Sequence, residues 1–176
     1  MSAEFDALEA LIPPPGPELP EPDWIGLEER LGVRLPFDYK RLVRTYGQGS
    51  FDGFLWVLQP SAANQNLDLE LQRVVRVDAL RTLLSMGEAV PYGLGPGQEE
   101  LLPWAFTDNG DVCFWVTSGS ADPDQWRVAI NEARGPLWET FDGSASAFLV
   151  AVLSGAVHIG VFPDDFPSEA PAFEPL

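Results

Sequence analysis

The run LLPWAFTDNGDVCFWVTSG, residues 101–119, constrains the fold more than any other stretch. Two apolar, aromatic-rich segments flank Asp108-Asn109-Gly110, and Asn-Gly supplies the positive backbone angles that a tight hairpin turn needs. A hairpin of this kind commits the chain to antiparallel pairing. WRVAINEA at 126–133 and PLWETF at 136–141 read as the next two strands, after the acidic turn ADPDQ. Upstream, FDGFLWVLQ at 51–59 reads as one buried strand, and HIGVF at 158–162 as a last short one.

Helical signals surround these strands. AEFDALEALI, residues 3–12, carries Phe5, Leu8 and Leu11/Ile12 at helical spacing with Ser2 as a cap. PPPGPELPEP, residues 13–22, has six prolines and can form neither helix nor ladder, so it reads as an extended connector. Asp23 caps a helix with Trp24, Leu27 and Leu31 on one face, closed by Gly32. The next helix begins at Pro36, carries the stripe Tyr39, Leu42, Val43 and Tyr46, and stops at Gly47. A longer helix spans 67–87, with Leu71, Val74, Val75, Leu80, Leu83 and Leu84 expected to be buried. Ser144 caps a final helix ending at Gly155.

Strands in succession with helices set apart imply an α+β domain: an antiparallel sheet with helices packed on one side. The expected organisation is an N-terminal helix at 1–12, the connector at 13–22, the main domain at 23–162 and an acidic tail at 163–176. With 45% apolar and 21% charged residues, the chain can bury a sizeable core. It contains no apolar run of the ~20 residues that span a bilayer. Its N-terminus is acidic where a signal peptide is basic, and its one cysteine excludes an internal disulfide, so cytoplasmic residence is expected.

Reactive groups are scarce. Cys113 falls inside a hairpin strand, the only histidine, His158, lies among apolar neighbours, and neither GxSxG nor Ser-x-x-Lys occurs. Zinc needs more Cys and His than these, and Asp108–Asp111 lacks the length and terminal Glu of a calcium loop. The glycines of YGLGPGQEE are followed by two glutamates, which would repel phosphate. No catalytic residue, cofactor or metal is therefore assigned. A carboxylate-pair hydrolase stays open, since 27 acids will place some pair at a suitable separation.

Charge is the least ordinary property. Ten bases against 27 acids give −17, unevenly spread. Residues 1–88 hold 14 acids and 8 bases, a net −6. Residues 89–176 hold 13 acids and only Arg127 and Arg134, a net −11. Such a field disfavours nucleic acid and anionic membrane and attracts basic partners, although acidity also serves simple solubility.

Through Trp24 to Gly32, LPFDYKRLVRTYGQGSF and WAFTDNGDVCFWVTSG, the chain over roughly residues 23–156 resembles the SUKH superfamily, which includes the fungal cell-wall-assembly regulator domain and many bacterial immunity proteins. Leu31, Gly32, Leu35, Pro36, Asp38, Tyr39, Leu42, Tyr46 and Gly47 carry the first half of the likeness. WAFTDNGDVCFWVTSG, PDQWRVAINEA and SASAFLVAVLSG carry the second. The resemblance implies a non-enzymatic α+β domain that binds proteins. In bacteria that means an immunity protein neutralising a secreted toxin domain, often a nuclease or nucleobase deaminase. The alternative is a regulatory or scaffold module like the fungal one. A nuclease needs a basic cleft for phosphate, which an acidic plug would block. The residues expected to meet such a partner are Glu99, Glu100, Asp108, Asp111, Asp122 and Asp124, with Trp104 and Trp115 as aromatic anchors.

Overall fold

The structure is a computed structural model that describes residues 2–95, 97, 99–133 and 135–176. Arg134, one of the two bases of the second half, and the side chain of Ser2, the expected first cap, lie outside what it describes. The described residues form five α-helices and a seven-stranded antiparallel open sheet of order β6-β5-β4-β3-β2-β1-β7. The strands are β1 (Gly49–Phe51), β2 (Leu55–Val57), β3 (Leu101–Thr107), β4 (Val112–Val116), β5 (Arg127–Asn131), β6 (Trp138–Phe141) and β7 (Phe173–Pro175). The helices are α1 (Ser2–Leu11), α2 (Trp24–Leu31), α3 (Phe37–Tyr46), α4 (Leu69–Ser85) and α5 (Ala145–Leu153).

The punctuation predicted for α2 and α3 is what the backbone uses. Asp23 accepts a hydrogen bond from Gly26 N at 3.0 Å, and Gly32 ends α2 in the left-handed conformation at φ 72°. Pro36 stands one residue before α3, and Gly47 closes that helix with its N–H on Val43 O. Gly47 also admits the connector. A Cβ there would lie 2.5 Å from Leu19 Cδ1, while Leu19 N donates to Arg44 O at 2.7 Å. The connector is thus tied along the end of α3.

The central hairpin pairs Leu102 with Trp115 and Leu101 with Val116, with a register shift between Pro103 and Ala105. Its turn is wider than the sequence suggests. Gly110 alone takes positive φ, 92°, and Gly110 N donates to Thr107 O, so three residues make the loop. Alternation then divides the sheet. Leu102, Trp104, Cys113, Trp115, Val128 and Ile130 face the main core with the apolar stripes of α1, α2, α3 and α5. Leu101, Val112, Phe114, Val116 and Ala129 face the other way and pack beneath Val77 and Leu80 of α4.

Four sequence expectations need correction. Helices cover both faces of the sheet, not one, because the outward face of β3–β5 is also apolar and α4 supplies its cover. The segment 51–59 is a hairpin and not a single strand: Asp52 (φ 57°) and Gly53 (φ 62°) turn β1 into β2. Residues 158–162 form a turn in which Ile159 and Phe162 plug the core. The acidic tail holds a strand, β7, which pairs with β1 at the sheet edge and packs Phe173 edge-on against Phe51 and at a tilt against Tyr46. α1 docks on the main core, in which Phe5, Leu8 and Ile12 are fully buried.

The buried face of α4 also differs from expectation. Leu69, Gln72, Val77 and Leu80 are buried, whereas Leu71, Val74, Val75 and Leu84 are 40–57% exposed. Apolar residues occur all round this helix, so spacing alone does not select a face. Gln72 can be buried because its amide donates to Gln65 O at 3.0 Å.

Candidate interaction surface

The acidic residues singled out in the sequence separate into two groups, at opposite ends of the central hairpin. Asp108 and Asp111 sit at the β3–β4 turn. Glu99 and Glu100 precede β3, and Asp122 and Asp124 follow β4 at the other end, where Thr117 N donates to Glu100 O at 2.8 Å. β4 is five residues long, so roughly 17 Å separates the groups at ~3.4 Å per residue. They do not form one patch.

Most of these carboxylates have structural partners. Asp111 is only 2% exposed and closes the hairpin, accepting from Thr107 Oγ1 at 2.7 Å and from Ala133 N at 3.0 Å. Asp108 accepts from Trp56 Nε1 at 2.6 Å. Asp122 caps the 3-10 turn Pro123–Gln125, and Asp124 accepts from Phe37 N at 2.6 Å, tying that turn to the start of α3. Glu100 accepts from Gly93 N. Glu99 is bound by Arg81 at 2.6 Å. The hydrogen bond from its own backbone amide, followed by that from Arg81, holds its pKa below the usual carboxylate value. Trp104 and Trp115 are 0% and 1% exposed and stack on each other at 5.9 Å. Neither can anchor a partner in this fold. Burial of the whole sheet face excludes them, which a run of alternating aromatics cannot reveal in advance.

The end of the sheet beyond β4 does contain a concave surface. An open groove of about 720 Å³ runs between the 117–127 connection, the start of α1 and the turn at 142–144. Glu4, Asp124 and Asp142 line it with Ser144, and among the described lining residues Arg127 is the one base. Asp142 is 89% exposed and 3.9 Å from Arg127. Trp126 forms the floor, 6% exposed, its indole N–H donating to Ser120 O at 2.9 Å. Asp122, which is exposed, belongs to the same 117–127 connection but does not line the groove. Asp142 and Glu4 were missed from sequence. The Asp142-Gly143 turn before the Ser144 cap was a usable signal for the first. Glu4 reaches the groove only because α1 packs on α5.

Bases elsewhere are largely neutralised. Arg30, Lys40, Arg41, Arg44 and Arg81 each pair with carboxylates, at 2.6–3.6 Å. Exposed pairs of this kind contribute little stability, about 0–1 kcal/mol each. Their consequence is electrostatic, because few cations remain to offset the acidic field.

Cys113 is sealed in the core, where burial pushes its thiol pKa up. His158 is exposed, with Nε2 4.0 Å from Asp164 Oδ1. Among the described residues no cluster of three or more His, Cys, Asp or Glu could hold a metal ion, and no helix is long and apolar enough to cross a membrane. No protein-family model and no curated protein matches this chain.

Proposed function

We propose that this chain is a SUKH-type binding module that works as a cytoplasmic immunity protein. It sequesters a basic toxin domain, such as a nuclease or deaminase, by stoichiometric association and without turnover. The observation that carries the reading is the acidic groove at the end of the sheet. Glu4, Asp124 and Asp142 line it, and exposed Asp122 lies in the adjoining 117–127 connection, in a chain of net −17. A negatively charged concavity raises the encounter rate with a basic surface and competes with phosphate for it.

The residues of the family likeness lend support through their positions. Leu31, Leu35, Tyr39, Leu42 and Tyr46 are buried, and Asp38 bonds α3 to α5. These are architectural roles, which fits a family that keeps a scaffold and varies its binding surface. Tyr39 and Tyr46 have raised pKa values through burial, so they remain neutral hydrogen-bond donors to Leu58 O and Ile12 O.

The test is co-expression with the C-terminal domain of the polypeptide encoded beside this one. Growth protected by the wild-type chain, and lost with Asp122→Lys/Asp142→Lys, supports the proposal. Protection by both chains alike removes the groove from it. Efficient turnover of a small molecule by the purified chain overturns it.

A further inference from the structure

A second concavity, about 740 Å³, opens where the proline connector crosses the end of α3, and it shares no lining residue with the acidic groove. Its base carries unused hydrogen-bond acceptors. Thr45 and Gln59 line it although they are only 5% and 4% exposed. The Gln59 amide nitrogen donates to Gly47 O at 2.9 Å and reaches Val57 O at 3.4 Å. Two acceptors on that side fix the amide orientation, which leaves Oε1 as the free atom. Thr45 Oγ1 has no hydrogen-bond partner among the described residues, and neither oxygen is sealed from the groove.

The end of α3 adds main-chain acceptors. Gly47 N and Leu19 N take Val43 O and Arg44 O, whereas Thr45 O and Tyr46 O have no partner among the described residues. Donors are few. Pro15, Pro17, Pro20 and Pro22 have no N–H, and that of Leu19 is spent on Arg44 O. Among the described lining residues there is no Lys, Arg or His. Glu18 lines the groove but is already paired with Arg44 at 2.6 Å, so the site does not rest on a free carboxylate.

We propose that this groove binds an aliphatic ammonium group, either a free amine or the side chain of a lysine. An ammonium offers three donors and no acceptor, which matches a surface of unused oxygens. Its compact charge suits convergent single acceptors, whereas the planar guanidinium fork suits a carboxylate. The C-terminal end of a helix carries partial negative charge, and a chain of net −17 draws cations. Proline rings and Leu19 give the methylene stem an apolar bed. An anion would lose its hydration there and find few donors in return. The site is independent of the acidic groove, so failure of either leaves the other standing.

The experiment is an NMR titration of the full, isotope-labelled chain with n-butylammonium. Tetramethylammonium serves as a probe of equal charge without N–H donors. The expected result is saturable shifts at the amides of residues 45–48 and at the Gln59 side-chain amide, with Kd on the order of 1 mM. Tetramethylammonium should bind at least about tenfold more weakly, and Thr45→Val, which keeps the shape, should weaken butylammonium about tenfold. Asp142→Lys, in the acidic groove, should change the affinity by less than about twofold. A blocked Gly-Lys-Gly peptide separates the two sources. Binding at least about tenfold tighter than butylammonium assigns the site to a lysine side chain, and equal or weaker binding assigns it to a free amine. Equal response to the two cations, shifts confined to exposed carboxylates elsewhere, or unchanged affinity in Thr45→Val overturns the proposal.

Discussion

Asp38→Ala tests whether the most distinctive acidic residue of the α3 motif is architectural. Asp38 is 2% exposed, and its Oδ2 accepts from Ser146 N at 2.8 Å and from Ser146 Oγ at 3.0 Å. It thus supplies a carboxylate to the first turn of α5 from 108 residues away in sequence. Alanine removes the acceptor and leaves two buried donors at the start of a helix. Hydrogen bonds to charged groups contribute about 1.5–3 kcal/mol, and an orphaned buried donor costs about 1–3 kcal/mol. The favourable charge at the helix N-terminus adds about 0.3–1 kcal/mol. The expected loss is about 3–5 kcal/mol, a large fraction of a domain's 5–15 kcal/mol. Asn retains one acceptor oxygen, so Asp38→Asn should lose about half as much. Urea unfolding gives the readout: the midpoint falls while the slope is kept. Combining Asp38→Ala with Ser146→Ala should show a coupling of about 1 kcal/mol, since part of what Asp38 holds is already gone. A loss under 1 kcal/mol in Asp38→Ala, or strict additivity with Ser146→Ala, would refute the reasoning.

Other outcomes follow from the same geometry. Gly49→Ala would place a Cβ 2.3 Å from Glu174 O and 2.6 Å from the Phe173 ring, so β7 should detach. Hydrogen exchange should then show lost protection at residues 173–176 while β3–β5 keep theirs. Cys113 should resist thiol reagents in the native state and react fully in denaturant; fast native labelling would contradict its burial. Glu70 has its pKa lowered by the Arg30 hydrogen bond, and Glu99 by its own backbone amide and then Arg81. A depressed carboxylate favours the folded state above the unfolded value near ~4.3, and that contribution is lost as pH falls through the lowered native value. Urea midpoints should therefore drop on the acid side of about pH 4.3, less steeply in Glu70→Gln/Glu99→Gln.

How far the sequence exposed this fold depends on where the determining interactions lie. α2, α3 and α5 were legible because capping residues and stripes are local: Asp23, Gly32, Gly47 and Ser144 act within one turn of their own helices. The Asp52-Gly53 turn carried a hairpin signal too, masked by the apolar run around it. β7 was not legible. Its three residues include Pro175, and only pairing with β1 and the aromatic contacts of Phe173 make it a strand. The α4 face failed for another reason. Its orientation is set by the second apolar sheet face at Val112, Phe114 and Ala129, which the periodicity of α4 itself does not encode.

The expected interaction residues divide on the same line. Being acidic and near a turn predicted exposure for Asp108 and Asp122, but Asp111 is drawn inward by Thr107 and Ala133. Turn-forming acids serve as caps here, so part of the charge count reflects local architecture. The groove-lining Glu4 and Asp142 come together from opposite ends of the sequence, a juxtaposition that only tertiary packing creates.

The most direct measurement of the central claim is the association rate of the chain with its partner, purified as the native complex from source cells and separated, at increasing ionic strength. The account predicts a basic partner whose association rate falls steeply with salt, roughly tenfold or more across the physiological range. It also predicts that Asp122→Lys/Asp142→Lys lowers the low-salt rate and flattens that dependence. An acidic partner, or a rate indifferent both to salt and to these substitutions, would contradict it.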